Sequence, residues 1–145
     1  ILITGSPIGG CTNKIINTIE ESGGSIVAYE LCSSIRNNRE LVDENNPDIY
    51  DALAKKYLNI GCACMMNNDK RIQLIDELIE EFKIDGVIDI ALQSCHPFNV
   101  ESNRIKEFVV NDKKIHYMAI ETDYSQSDTE QLRTRFEAFI EMIES

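Results

Sequence analysis

Four short apolar runs punctuate the chain, at residues 1–5, 25–29, 86–92 and 116–120, and the segments between them repeat their apolar residues at helical spacing. This alternation constrains the fold more than any single motif. Runs of this length are too short for helices, and they are apolar almost throughout instead of alternating in and out, so each must be a strand covered on both faces. A parallel sheet with helices on each side meets that demand. After the first run, Ile15, Ile16 and Ile19 share one helical face that ends at Gly23-Gly24. Asn46-Pro47 offers an N-cap and a first-turn proline, and Ile49, Leu53 and Tyr57 follow at spacing four, which predicts a helix over 47–59. A second stripe, Ile72, Ile75, Leu78, Ile79 and Phe82, predicts a helix over 69–82, with most of its charges, including the acidic run 77–81, on a solvated face. Another helix is expected near 100–110. Ser127-x-x-Glu130 has the form of a capping box opening a last helix that carries Leu132, Phe136, Phe139, Ile140 and Ile143.

The expected architecture is a single α/β domain over residues 1–145: a four-stranded parallel sheet with helices on both faces, flavodoxin-like. A length of 145 residues suits one domain. The chain opens inside an apolar run without an initiator methionine, as though cut from something longer. Residues 33–46 are polar and turn-rich, an exposed loop or short helix able to meet a partner. Lys plus Arg number 14 against 25 Asp plus Glu, a net charge of −11 that would repel a phosphate backbone, so no nucleic-acid partner is expected. The apolar runs are too short to span a bilayer, so no membrane partner is expected and the expected location is cytoplasmic. Five cysteines, an odd number without an export signal, fit metal ligation, redox chemistry or reduced core thiols better than a disulfide framework.

Open parallel sheets collect ligands beyond the carboxyl ends of their strands, where helix N-termini converge with unpaired amides. Unusual residues gather there in this sequence: Ser6 to Cys11 after the first strand, Glu30 and Cys32 after the second, Ser94-Cys95-His96-Pro97 after the third, and Glu121-Thr122-Asp123-Tyr124-Ser125 after the fourth. Cys95 is the sharpest case. It stands just past an apolar strand, beside His96, and is open to three readings: nucleophile, soft-metal ligand or inert thiol. Cys62-Ala63-Cys64 can direct two thiols to one side of an extended segment, but without paired Cys-x-x-Cys spacing a structural zinc site is not expected. The 5–10 loop matches neither a Walker loop nor a dinucleotide fingerprint. The amides of Gly9, Gly10 and Cys11 can hold an anion or donate to sulfide, or the loop is simply a tight turn. His116 reads as a packed or surface histidine, Met65-Met66 as packing, and Asp89, inside an apolar strand, as a partner for a neighbouring helix N-terminus.

Three stretches carry a family resemblance: Thr4-Gly5-Ser6-Pro7-Ile8-Gly9-Gly10; residues 85–88 through Gln93-Ser94-Cys95-His96-Pro97; and Glu121-Thr122-Asp123-Tyr124-Ser125 with residues 131–139. Together they resemble the C-terminal domain of the 2-hydroxyacyl-CoA dehydratase family. The resemblance implies a lyase, reductive radical removal of water from a 2-hydroxyacyl-CoA, in which an electron enters the thioester carbonyl, the ketyl expels hydroxide and the electron is recovered. It also implies an oxygen-sensitive iron-sulfur cluster (4Fe-4S or double cubane) shared with domains outside this chain, a second homologous subunit, an ATP-dependent activator protein and an acyl-CoA substrate. Cys95 matches the family's C-terminal cluster ligand, so it is the expected metal ligand, with Gly9 and Gly10 as cofactor-binding candidates. Ser6 stands where many relatives carry Cys, and Cys11, Cys32, Cys62 and Cys64 receive no role. A branch resembling the double-cubane-cluster proteins, ATP-dependent reductases of small molecules, shares the pattern. A flavodoxin-like binding module with inert thiols is the non-catalytic alternative. The isolated domain is expected to be inactive.

Overall fold

The computed structural model describes residues 1–65 and 67–145. Four parallel strands, β1 (Leu2–Gly5), β2 (Ala28–Glu30), β3 (Gly86–Leu92) and β4 (His116–Thr122), lie in the order β2-β1-β3-β4. The predicted four-stranded α/β architecture is therefore the observed one, and the strand order matches the first four positions of flavodoxin-like sheets. Helix α1 (Thr12–Glu21) follows β1. Helices α2 (Ile35–Asn38), α3 (Ile49–Leu58) and α4 (Asp69–Phe82) connect β2 to β3, α5 (His96–Glu107) connects β3 to β4, and α6 (Thr129–Glu144) follows β4.

The pleat of the strands sorts side chains onto two cores. Ile3, Ile88, Ile90 and Ile120 meet Ile15 and Ile19 of α1 and Leu132, Phe136, Phe139 and Ile140 of α6 on one face. Leu2, Ala28 and Val87 meet Ile75, Leu78 and Ile79 of α4 and Ile105 of α5 on the other. The order in which successive strands are added reverses between β1 and β3, which makes their carboxyl ends the switch point where such sheets bind ligands. Gly5 closes β1 there with a φ of +122°, and a Cβ on it would stand 2.0 Å from the Ile90 carbonyl oxygen, so only glycine fits. Ser6 is fully buried and stitches the two strands together: its amide donates to the Ile90 carbonyl at 2.8 Å and its hydroxyl accepts from the Leu92 amide at 2.9 Å. Its hydroxyl thus serves the sheet, not the rim.

Several boundaries differ from the sequence expectation. Helix α3 starts at Ile49, because Asp48, not Asn46, accepts from the Tyr50 and Asp51 amides, while Asn46 bonds the Asp48 amide and the Asp51 carboxylate. Only Ala52 of α3 is buried, and Ile49, Tyr50, Tyr57 and Leu58 all face out. Helix α5 starts at His96, well before the expected 100, since Pro97 fits a first turn that needs no amide from it. The expected capping box is not formed. Asp128 occupies the N-cap position of α6 and its carboxylate is drawn away to Lys14 and Thr122. Met65 is exposed, and Met66, expected to pack, lies outside the described residues. Among the described residues no helix is long and apolar enough to cross a membrane.

Candidate functional site

Cys95 is the N-cap residue of α5. Its amide donates to the Leu92 carbonyl at 2.9 Å and its carbonyl accepts from the Asn99 amide at 3.1 Å. Ser94, at a φ of +68°, makes the sharp turn that lifts the chain off β3. Cys95 is consequently half-buried beside the switch point, at the N-terminus of a twelve-residue helix. His96 is exposed.

Three further thiols belong to this neighbourhood. Cys32, just past β2, is half-buried and accepts from Arg36 Nη1 at 3.0 Å. Cys62 is half-buried and Cys64 exposed in a turn closed by the Met65 amide on the Cys62 carbonyl, 2.9 Å. The Cys64 thiol is pushed up foremost by charge on Cys62 and its hydrogen bond, and further by charge on Cys95 and Cys32. Thiols from three connections therefore act on Cys64. Cys11 does not join them. It is fully buried, its Sγ donates to the Ile8 carbonyl at 2.9 Å, and burial pushes its thiol up against the opposing pull of Lys14. The expectation that the first strand end offers a thiol to the rim is thus corrected. Among the described residues no group of three His, Cys, Asp or Glu converges tightly enough to hold a metal ion.

The glycine loop has a second occupant. Gly9–Cys11 form a single 3-10 turn, and the Cys11 amide is taken by the Ile8 carbonyl at 2.8 Å. A Cβ on Gly10 would stand 3.3 Å from the Tyr124 ring, and one on Gly9 would stand 3.9 Å from the Tyr124 hydroxyl. Gly9 and Gly10 therefore let Tyr124, from the loop after β4, settle on the loop after β1. That same loop is pinned by Lys14, a residue that sequence reasoning passed over. The buried Lys14 Nζ donates to Thr122 Oγ1 (2.8 Å), to the carbonyls of Asp123 (3.0 Å) and Ser125 (2.8 Å), and to Asp128 Oδ1 (2.6 Å). Its signal in the sequence was its place on the apolar face of α1, between Cys11 and Thr18. Beside the loop, Gln93, Glu121, Thr122, Asp123, Ser127 and Asp128 line an acidic cleft of about 180 Å³.

Beneath the rim, between the sheet and α2, α4 and α5, lies a dry charged cluster. Glu30, expected at the rim, is fully buried. It accepts from Thr4 Oγ1 (2.5 Å), from Arg36 Nε and Nη2, and from Arg71 Nε (3.2 Å). Arg71 also donates to Thr4 Oγ1 at 2.8 Å and to Glu101 at 2.7 Å. Burial works against its charge, but Glu30, Asp89 and Glu101 outweigh it and hold its pKa above the usual arginine value. Asp89 does not meet a helix N-terminus as expected. Its carboxylate accepts from Ser102 of α5 at 2.8 Å and from Tyr117 of β4 at 2.9 Å, with Arg71 at 3.9 Å. His116 is an exposed histidine at the opposite end of β4. Arg39 and Arg104 are bound to Glu77, Glu81 and Asp69 at the surface; Arg39 shares a cleft with Arg36, and Arg104 does not.

Burial raises the Asp89 pKa above 3.8 despite Arg71 and its two hydrogen bonds, and this has a sign. A carboxyl that keeps its proton longer when folded contributes stability fully present below pH 3.8 and lost as pH rises through the folded value. Asp89→Asn is expected to lack that loss, so denaturant titrations from pH 4 to 7 should show the variant gaining on the parent as pH rises. A gap that widens the other way would mean that Arg71 holds Asp89 ionised.

The comparisons with known proteins agree over nearly the whole chain. Residues 1–143 match the family "2-hydroxyglutaryl-CoA dehydratase, D-component". The chain is 51% identical over 143 residues to "Putative dehydratase subunit YjiM" of Escherichia coli (strain K12), covering 99% of this chain and 37% of that protein. It is 30% identical over 133 residues to the "(R)-phenyllactyl-CoA dehydratase beta subunit" of Clostridium sporogenes, covering 91% of this chain and 35% of that protein. The chain thus spans just over a third of the length of the curated relatives it matches.

Proposed function

This chain belongs to the 2-hydroxyglutaryl-CoA dehydratase D-component family, and on that footing we propose that it is the C-terminal domain of a 2-hydroxyacyl-CoA dehydratase subunit that supplies one ligand, Cys95, to an iron-sulfur cluster shared with other parts of the enzyme. The observation that carries the reading is the position of Cys95: half-buried, at the N-cap of α5, beside the sheet's switch point and within electrostatic reach of the Cys64 thiol. The donor chemistry fits, because cluster irons are held by thiolates brought from separate chain segments. The described residues offer no closed ligand set, and on this reading the other ligands come from outside residues 1–145. Such a cluster, when bound, supplies a low-potential electron to the thioester carbonyl of the substrate.

What this chain contributes is placement. The turn at Ser94 leaves Cys95 half-buried at the N-cap of α5, whose dipole favours a thiolate at that end, and the Tyr124 contact with Gly9 and Gly10 closes the neighbouring loop. Both curated relatives are named as subunits, which supports a partner subunit, and an ATP-dependent activator delivering the electron completes the reading. The exposed apolar face of α3 supports a domain that packs against more protein. Acyl-CoA phosphates would be met elsewhere, since Arg36, Arg39, Arg71 and Arg104 are each committed to carboxylates here. On this reading, a need for ATP and reduced thiols supports a cytoplasmic enzyme.

The test is anaerobic purification of the full-length polypeptide with Cys95→Ser beside the parent, measuring bound iron, acid-labile sulfide and the visible charge-transfer absorption. The parent is expected to be brown and the variant to lose its iron. A variant that binds iron as fully as the parent would remove Cys95 from the ligand set, and a parent that stays colourless after reconstitution would end the cluster reading altogether.

A further inference from the structure

The Cys32 and Cys95 segments both rest on the same buried pair of guanidiniums. Arg36 reaches Glu30 with two nitrogens and Cys32 Sγ with a third, at 3.0 Å. Arg71 reaches Glu30 from the other side. Both also stand over the Phe98 ring, whose centroid is 5.3 Å from the Arg36 guanidinium carbon and 5.0 Å from that of Arg71. Phe98 is in the first turn of α5, three residues after Cys95, and is nearly fully buried. The Cys62 segment presses on the same element: a Cβ on Gly61 would stand 2.8 Å from the Arg71 amide nitrogen, so the chain entering the Cys62 turn lies directly on the start of α4.

We infer that Glu30, Arg36 and Arg71 are positioning residues for the thiol rim, a two-arginine clamp that holds Phe98 and so fixes Cys95 relative to Cys32. The physical reason is the geometry of the parts. The face of a phenyl ring attracts a cation, and an arginine held by a buried carboxylate cannot follow the ring if it moves. Glu30 holds both guanidiniums, so the seat for the ring is fixed, and the first turn of α5 is held where the ring sits. A leucine could fill much of the volume, but it has no ring face for the guanidiniums to hold. This inference rests on the reading of Cys95 as a working thiol for its purpose, but its test reads the rim itself, without any cluster, so the two can fail separately.

The test uses the full-length polypeptide in iron-free form, with hydrogen exchange followed by mass spectrometry and iodoacetamide alkylation quantified at each cysteine. Phe98→Leu is expected to speed exchange over residues 94–99 and alkylation of Cys95 by about tenfold, leaving α1, α6 and the buried Cys11 at parental rates. Phe98→Tyr, which keeps the ring face, should restore the parental rates. Arg36→Lys, which keeps the charge but loses the fork, should speed both Cys32 alkylation and exchange over 94–99. Unchanged rates in Phe98→Leu would overturn the inference, as would acceleration of the whole chain together, which would mark Phe98 as an ordinary core residue. An Arg36→Lys variant that frees Cys32 while residues 94–99 stay protected would overturn it too, because the segments would then not share one clamp.

Discussion

Replacing Arg71 by methionine is expected to cost about 3–5 kcal/mol of folding stability, the usual result of removing one partner from a fully buried ion pair. Methionine keeps much of the aliphatic stem, so the loss is chiefly electrostatic. It would leave Glu30 with Arg36 alone, Asp89 without its nearest cation, and Glu101 with only Asn68. Thr4 Oγ1 would lose a donor at a fully buried site. Against the roughly 5–15 kcal/mol of net stability typical of a domain, this is a large share. Urea unfolding near neutral pH measures it. The control is Arg39→Ala, which removes two surface pairs with Glu77 and Glu81 and should cost under about 1 kcal/mol. If Arg71→Met cost as little as that control, the cluster would have to be solvated, and the clamp on Phe98 could not be rigid.

The architecture was readable in the sequence because parallel strands leave a coarse signature. The unbroken apolar stretch of β3 can be satisfied only between two layers, and the stripes on α4 and α6 show which helices supply them. Boundaries were less legible wherever two polar residues competed for one job. Asn46 and Asp48 both suit the start of α3, and the choice falls to the residue whose carboxylate reaches the Tyr50 and Asp51 amides. Ser127 and Glu130 have the spacing of a capping box, yet the helix is entered one residue later, at Asp128, whose carboxylate serves a buried lysine. Nothing local to residues 127–130 could reveal a partner on α1, more than a hundred residues earlier in the chain.

The candidate site divides in the same way. Cys95 stood out because it falls just beyond an apolar run, and a thiol in that position does not pack in the strand. That Cys95 and Cys32 come within electrostatic reach of Cys64 depends on three connections folding back to one end of the sheet, and no spacing encodes that. The charged cluster was hidden by type. Asp69-Lys70-Arg71 reads as a solvated helix start, but only Arg71 turns inward, and a glutamate after a short strand reads as a rim group although Glu30 is sealed beneath it. Gly9-Gly10 and Asp123-Tyr124-Ser125, noticed as separate motifs, turn out to be two sides of one contact.

Lys14→Met is the second substitution with a large expected effect, about 3 kcal/mol, because one buried ammonium shares its three N–H groups among four oxygens at the end of β4 and in the loop to α6. Without it the carbonyls of Asp123 and Ser125 lose that donor, and Asp128 keeps only Thr122. The loop should then release Tyr124 from Gly9 and Gly10, so proteolysis or hydrogen exchange over 122–128 should rise along with the loss of global stability. Acid supplies an independent check. Burial tends to raise the Asp128 carboxyl, but the hydrogen bonds from Lys14 and Thr122 win and hold it below 3.8. A carboxyl depressed in the folded state contributes stability that is present above 3.8 and lost as pH falls through the folded value. The parent should therefore surrender part of its advantage over Lys14→Met as the solution is acidified below that point. A gap between the two proteins that stays constant from pH 7 to pH 3 would show that Asp128 titrates without regard to Lys14, and that the lysine holds the loop through its carbonyls alone.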